Sequence, residues 1–400
     1  MKKITLIILT IMSSYLQAQS IFNKTYIKPD WDFSTAIIET DNNSYLIASS
    51  SRSESSSSYD ILLMNIDTLG TIIWEKYIGH SQNLEFASNI SKTSDGGFII
   101  GGSYSHNGNY DTYILKVDSE GNKIWAESVT PSAIYEHGYS AFENAQGEFM
   151  IIGSDNHTNI YNLNSSGSMN WVKNYQNFAG KLIFQTSDDG YALIGNTSFS
   201  TGQNNQIVLM KVDINGDSIW TKQFGGDGDD YAYSCTPASD NGFLIAGGYD
   251  TQVFDDDLST YLIRTNSIGD IIWTKIYETG FPYAIQQTFD GGFVYSSVVY
   301  QYLPLNDLYT LNITKIDSMG TIEWSRSFEN RNVYSAGNNL QQVGDGGYIL
   351  TGHVTNNTNS HADVSLIKLD VNGNFVTSIR HCDQSISQVL KAFPNPVLSI

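Results

Sequence analysis

One phrase is written seven times along this chain. It reads Asp-x-x-Gly-x-x-x-Trp, with Asn in place of Asp in two copies. It occurs at Asp67-Gly70-Trp74, Asp118-Gly121-Trp125, Asn164-Gly167-Trp171, Asp213-Gly216-Trp220, Asn266-Gly269-Trp273 and Asp317-Gly320-Trp324. The last copy, Asp370-Gly373, has Thr377 where the tryptophan belongs. Successive tryptophans are 51, 46, 49, 53 and 51 residues apart. A fixed period of that length means repeated supersecondary units, and it constrains the fold before composition does.

A second phrase precedes each copy of the first. It is clearest as Asp95-Gly96-Gly97-Phe98, Asp290-Gly291-Gly292-Phe293 and Asp345-Gly346-Gly347-Tyr348. Looser forms are Asp189-Gly190-Tyr191, Asn241-Gly242-Phe243, Gln146-Gly147-Glu148-Phe149 and Asn42-Asn43-Ser44-Tyr45. Asp-Gly between β-prone runs is a strong hairpin signal, because glycine accepts the positive φ of a tight turn. One unit therefore reads as four antiparallel strands, near 87–93, 98–102, 112–118 and 123–129. The runs Phe98-Ile99-Ile100 and Ile114-Leu115 are continuously apolar, which marks strands buried on both faces. A four-stranded sheet covered on both faces and repeated seven times predicts an all-β, seven-bladed β-propeller.

Two residues after the tryptophan stands a base: Lys76, Lys173, Lys222, Lys275 and Arg326, with Glu127 the exception. On an outermost strand such charges block edge-to-edge aggregation. Phe22-Asn23-Lys24 falls in register with Trp74-Glu75-Lys76. The N-terminal strand is thus expected to complete the last blade and close the ring.

Lys2 and Lys3, the apolar stretch Ile4 to Met12 and Leu16-Gln17-Ala18 form a secretory signal with a cleavage site. The expected organisation is a signal at 1–18, the propeller at 19–380, a linker at 381–391 and a further segment at 392–400. Without the signal, 19 basic residues face 41 acidic ones. That balance argues against nucleic acid, which needs clustered Lys and Arg, and against anionic membrane surfaces. No later segment is long and apolar enough to span a bilayer, so no membrane insertion is expected after signal removal. Cys235 reads as a small buried thiol of an inner strand and Cys382 as part of a polar tail, and two cysteines make no disulfide framework.

The strand-linking phrase resembles the tryptophan-docking repeat of quinoprotein propellers, one residue shorter between Asp and Gly. It also resembles the Asp-box of sialidase propellers, with longer spacing. The stretch from Trp220-Thr221-Lys222-Gln223-Phe224-Gly225-Gly226 to Asp240-Asn241-Gly242-Phe243 is similar to bacterial repeat-propeller families of exported proteins. That likeness implies architecture and no single activity. Ala392-Phe393-Pro394-Asn395-Pro396 resembles the opening of the type A sorting domain of type IX secretion. It implies the type IX machinery as a partner and secretion, or display on the outer surface of a Gram-negative bacterium. The chain ends four residues after Pro396, so the sorting domain is expected to be truncated here.

Candidate chemistry is sparse. Thirteen residues before the turn aromatic stand Asp32, Glu85, Glu136 and Asp230, in four of seven units. They read either as a ring of carboxylates for a cation or a basic ligand, or as acceptors of backbone N–H groups at the start of an inner strand. The structural reading is preferred. Asp227 and Asp229 in Gly226-Asp227-Gly228-Asp229-Asp230 are weak calcium candidates, lacking the alternation and the closing glutamate of an EF-hand. The histidines show no metal-ligand spacing, the five arginines assemble no sialidase triad, and no nucleophile elbow or phosphate loop occurs. No catalytic residue, cofactor or metal is therefore assigned. Many tyrosines, such as Tyr113, Tyr191, Tyr261 and Tyr348, read as core, while Tyr110, Tyr135, Tyr300 and Tyr302 are loop candidates for a carbohydrate surface.

The expectation is a monomeric extracellular binding or adhesion module for a glycan or protein. The alternatives are a glycan lyase or hydrolase with its site at the central channel, and a spacer for surface display. Acids, an arginine or a metal converging on the channel mouth would favour the enzyme.

Overall fold

The computed structural model describes residues 21–375, apart from the short segments 29–30, 53–57, 81–82, 107, 131–134, 156, 198–203, 250–258, 278–279, 302–307, 332–334 and 356–361. The signal at 1–18, Cys382 and the motif Phe393–Pro396 lie outside the described residues. Twenty-eight strands form seven four-stranded antiparallel sheets. This is the seven-bladed propeller that the repeat predicts.

Each phrase becomes a turn for a local reason. In Asp67-Thr68-Leu69-Gly70, the Asp67 Oδ1 accepts the amides of Leu69 at 2.9 Å and Thr71 at 2.8 Å. A single oxygen does this work, which is why Asn164 and Asn266 serve equally in their copies. The glycine takes positive φ, +72° at Gly70 and +77° at Gly121. The resulting Asp-x-x-Gly turn joins the third strand of a blade to its outer strand.

The second unit shows the plan, with strands Leu84–Lys92, Phe98–His106, Asn109–Val117 and Lys123–Ser128 running from the inside outward. The two middle strands extend further than the expected 98–102 and 112–118, reaching His106 and starting at Asn109. Ile99, Ile100, Ile114 and Leu115 are fully buried, as continuous apolar runs require. The outer strands are mostly exposed.

The two ends of the Asp-x-x-Gly-x-x-x-Trp phrase turn out to be partners across blades. Trp74 lies against Gly121 of the next blade, so closely that a Cβ there would stand 2.4 Å from the indole ring. Trp125 covers Gly167, Trp220 covers Gly269 and Trp324 covers Gly373 in the same way. The indole N–H groups of Trp125 and Trp273 donate to the carbonyls of Ser165 and Ser318 in the neighbouring turn.

The base two positions on reaches the same turn. Lys76 Nζ donates to the Glu120 carbonyl and Asn122 Oδ1, both at 2.6 Å, Lys173 pairs with Asp217, Lys222 pairs with Asp270, and Arg326 donates to the Asn372 carbonyl. Guarding a free edge is thus only part of what these residues do. They also brace each blade against the next.

The ring closes as expected. The N-terminal strand Phe22–Tyr26 pairs antiparallel with Ala362–Leu369, in the register Phe22↔Lys368 to Tyr26↔Val364. Phe22 and Lys24 then cover Gly70 as Trp and Lys do elsewhere. The seventh phrase needs no tryptophan, because the glycine that would receive it is already covered by Phe22.

A second set of contacts stitches each blade internally. In five blades a buried base on the third strand reaches back to the Asp of the Asp-Gly turn: Lys116–Asp95, Lys211–Asp188, Arg264–Asp240, Lys315–Asp290 and Lys368–Asp345. Burial alone would raise the Asp95 carboxyl. Hydrogen bonds from Thr93, Lys116 and Gly97, with the Lys116 charge, outweigh that and bring it to about 2. The second glycine of the turn is needed because this base crowds it: a Cβ on Gly97 would stand 2.6 Å from the Lys116 ammonium and 2.3 Å from the Val117 carbonyl.

The first and third blades change all three positions together. Asn42, Ser44 and Asn65 replace Asp, Gly and Lys in one, and Gln146, Glu148 and Asn162 replace them in the other. In the third blade the Asn162 side-chain amide donates to Glu148 at 2.9 Å. A neutral side chain thus occupies the space that the lysine takes elsewhere.

The latch between blades predicts the effect of filling one glycine. Gly121→Ala imposes a side chain at positive φ and displaces Trp74, and should cost about 2–3 kcal/mol in urea unfolding. Trp74→Ala should make the same substitution cheaper by about 0.5 kcal/mol or more in a double-mutant cycle. Strict additivity would show that the two residues do not act together.

Candidate functional site

The inner strands carry the same irregularity in every blade. A register shift falls near the start of each, after its second, third or fourth residue, at Ser34/Ala36, Ala87/Asn89, Gly138/Ala141, Gly180/Leu182, Ala232/Ser234, Pro282/Ala284 and Gly337/Asn339. A bulge of this kind re-aims the side chains around it. Up to and including the bulged residue, buried positions alternate with solvent-accessible ones, as the two-residue period of a strand requires, on the strands that line the central channel. The accessible pairs are Phe33 and Thr35, Phe86 and Ser88, His137 and Tyr139, Ala179 and Lys181, Tyr231 and Tyr233, and Phe281 and Tyr283. The channel mouth is aromatic.

On one side these rings join a crescent that crosses four blades. Trp31 stacks on Phe33 at 5.8 Å, and Phe33 meets His353 at 5.2 Å and Tyr59 at 6.4 Å. Tyr59 contacts Phe86 at 5.2 Å, Phe86 contacts Tyr110 at 6.1 Å, and Tyr110 meets His137 at 4.6 Å. Tyr135 closes the arc against Tyr110 at 5.4 Å and His137 at 5.2 Å.

A pocket of about 350 Å³ opens there, with Phe86, Tyr110, His137 and Tyr139 as walls and Ser88 and Ser103 as polar groups. His137 Nδ1 lies 3.3 Å from Ser103 Oγ. Burial lowers the His137 pKa and the nearby Asp155 charge opposes that, so the ring favours its neutral form. A larger hollow, about 510 Å³, lies at the outer rim between the first two blades and is lined by latch residues such as Lys76 and Asn122.

Two of the four tyrosines expected in loops come together, Tyr110 and Tyr135, but Tyr110 stands on the strand Asn109–Val117 and not in a loop. The side chains of Tyr300 and Tyr302 lie outside the described residues. Residues missed from the sequence are Phe33, Phe86, His137, Tyr231 and Phe281. Each occupies the position after the candidate carboxylate, or its equivalent, and its repetition at the blade period was the available signal. Tyr113, Tyr191 and Tyr348 are buried, and Tyr261 packs against the core. Cys235 is a buried free thiol whose ionisation burial disfavours.

The four aligned carboxylates stand at blade junctions, not on the rim. Asp32, Glu85, Glu136 and Asp230 are each at most 1% exposed. Glu136 joins the second and third blades: its carboxylate accepts from Thr112 at 2.6 Å, Thr130 at 3.0 Å, Asn159 at 2.6 Å and Tyr161 at 2.7 Å. Asp230 accepts the Gly226 amide at 2.6 Å.

Glu85 holds the same place one blade earlier but in poorer company. By strand register, Ile61, Gly79, Tyr113 and Leu115 stand where Glu136 finds Thr112, Thr130, Asn159 and Tyr161. Its main polar neighbour is His80, whose Nδ1 is 3.6 Å away and whose backbone amide helps offset the burial. Burial, with a smaller push from Asp60, raises the Glu85 pKa to about 7.

Asp229 accepts the Asn205 amide at 2.6 Å, and the Asp227 carbonyl accepts from Asn204. Among the described residues, no group of three or more His, Cys, Asp or Glu side chains is placed to hold a metal ion. Among the described residues, the accessible inner-strand positions up to and including the bulge hold no carboxylate and one cation, Lys181.

Because its folded pKa is raised, Glu85 favours folding least where it must ionise. The cost is absent below the unfolded value near 4.5, grows as pH rises and is complete above about 7. Glu85→Gln should therefore stabilise the protein at pH 8 by on the order of 1–2 kcal/mol and have little effect at pH 4. Thermal unfolding of both forms across that range measures the gap; a gap independent of pH would contradict the assignment.

No protein-family model matches the chain, and no curated protein is similar to it in sequence. Similar solved structures exist at low identity. The Pan2 WD40 domain of Neurospora crassa is 8% identical, with a TM-score of 0.55 over 87% of this chain and 94% of that one. A protein of unknown function from Bacteroides caccae is 13% identical, with a TM-score of 0.44 over 74% and 93%. A protein of unknown function from Dyadobacter fermentans is 10% identical, with a TM-score of 0.45 over 78% and 98%. At such identities likeness speaks to fold alone, and the fold that the chain shares is the β-propeller.

Proposed function

We propose that this protein is a secreted or surface-displayed binding module whose ligand is a glycan held at the channel mouth. The observation that carries the proposal is the aromatic crescent from Trp31 to Tyr135, with the Phe86–Tyr110–His137 pocket at its end. Sugar rings present C–H faces that stack on aromatic side chains, and hydroxyls that meet Ser88, Ser103 and the tyrosine O–H groups. Sites of this kind combine apolar walls with a few placed polar groups. The crescent uses the same positions in successive blades, Phe33, Phe86 and His137 on inner strands and Tyr59 and Tyr110 on third strands, so that their rings meet across the blade junctions.

The enzyme reading has less support. A glycan lyase or hydrolase of the usual kind needs paired acids or a base at the reacting bond. The four aligned carboxylates instead bind structure at blade junctions. Export rests on the signal at 1–18 and on Phe393, Pro394, Asn395 and Pro396, and the type IX machinery is the partner this motif proposes.

A glycan array probed with the purified chain tests the binding reading. Retention on a defined set of glycans is expected. Tyr110→Ala should weaken that binding about tenfold or more, the loss of one stacked ring. Tyr77→Ala, an exposed change on an outer strand, should not affect it. Loss of no affinity on Tyr110→Ala would move the site elsewhere, and an empty array would remove the glycan reading. Expressed in a bacterium with type IX secretion, the exported protein should begin at Gln19 on N-terminal sequencing; retention of the leader would contradict the signal assignment.

A further inference from the structure

We infer that Lys181 forms an anionic subsite in the channel, so that the preferred ligand is a carboxylated glycan. The inference rests on the glycan-binding reading and adds the charge of the ligand. Lys181 sits on the inner strand Phe178–Gln185 of the fourth blade, in register with Ser88, Tyr139, Tyr233 and Tyr283 of neighbouring blades. Its ammonium lies over the Tyr233 ring, 5.6 Å from the centroid, and donates to the Ala232 carbonyl at 3.3 Å.

What sets this lysine apart is the company it lacks. Lys116, Lys211, Arg264, Lys315 and Lys368 are buried deeper, and each meets an aspartate within 2.9 Å. Among the described residues no carboxylate comes within ion-pair distance of Lys181. Nothing charged offsets the burial that lowers its pKa. Acids outnumber bases 41 to 21 in this chain, so a partner was readily available. A partly dehydrated cation facing a channel is a place where a ligand anion completes the pairing.

The surroundings suit a sugar acid in particular. Tyr139 and Tyr233 flank Lys181 on the adjoining inner strands, offering ring faces for a pyranose and hydroxyls for its oxygens. Other charged or titratable groups near the mouth are His137, His353 and Asp155, with Arg52 beside Tyr59 and Trp31, and Asp60 and Asp111 next to Tyr59 and Tyr110. Burial keeps both imidazoles toward neutrality, and the Asp155 charge acts on His137 and Tyr139. Lys181 is therefore the one ammonium at the described accessible inner-strand positions of the channel wall.

Calorimetry on the full chain with matched probes tests this. Oligogalacturonate and sialyllactose would each be compared with their methyl esters, which keep the ring and remove the charge. At least one acid should bind ten times or more tighter than its ester, with the gap shrinking as salt is raised. Lys181→Met should close the gap while leaving ester binding, and Lys181→Arg should keep it. Equal binding of acid and ester, or a gap that survives Lys181→Met, overturns the subsite. Neutral glycans retained on the array while both acids and esters fail would overturn it too and leave the glycan reading standing. Retention of no glycan at all would overturn both.

Discussion

Everything in this molecule depends on one contact repeated around the ring, an indole laid over a glycine of the next blade. Neither residue makes sense within its own blade. The glycine must lack a side chain partly because its φ is positive, and partly because the neighbour's tryptophan fills the space where a Cβ would go. The tryptophan in turn has no core position on its exposed outer strand and finds its burial only across the junction. Each latch thus ties turn, outer strand and neighbouring blade together, and the braces from Lys76, Lys173 and Lys222 set the same two surfaces in register. Exposed ion pairs of this sort contribute little energy and mainly orient the contact.

The exceptions to the repeat follow the same logic. A closed ring has one junction where the end of the chain must meet its beginning. There Phe22 stands in for tryptophan, and the last phrase, with Thr377, carries none. Inside the blades, the Asp–Gly–Lys set changes as a unit to Asn–Ser–Asn or Gln–Glu–Asn. A buried lysine without its aspartate would be an uncompensated charge, and a side chain in place of the glycine would meet the lysine. Substitution at one position therefore requires substitution at the others, and the chain records this coupling within itself.

The channel mouth is free of that constraint. Its residues lie at or near the inner-strand bulges and at the adjoining ends of the middle strands, outside the packed interfaces between sheets. They can differ from blade to blade without opening a junction: most carry rings, and the fourth blade carries Ala179 and Lys181 instead. Glu85 and Glu136 show the boundary between the two regimes. They occupy the same register, yet hydroxyl and amide partners surround one and apolar groups the other.

The sequence alone determined the number of blades, the strand order and the closure, because period, turn chemistry and apolar runs are local properties that survive in a linear string. Tyr110 and Tyr135 were legible as candidate surface aromatics, although Tyr110 belongs to a strand that outruns its apolar core. What tertiary structure decided was which residues meet. The pairing of Trp74 with Gly121 spans a whole blade, and the crescent joins His353 to Phe33 only because the ring closes. The burial of Asp32, Glu85, Glu136 and Asp230 and the unpaired state of Lys181 likewise depend on neighbouring blades. Distances between blades are set by closure of the ring, and no local pattern in the chain encodes them.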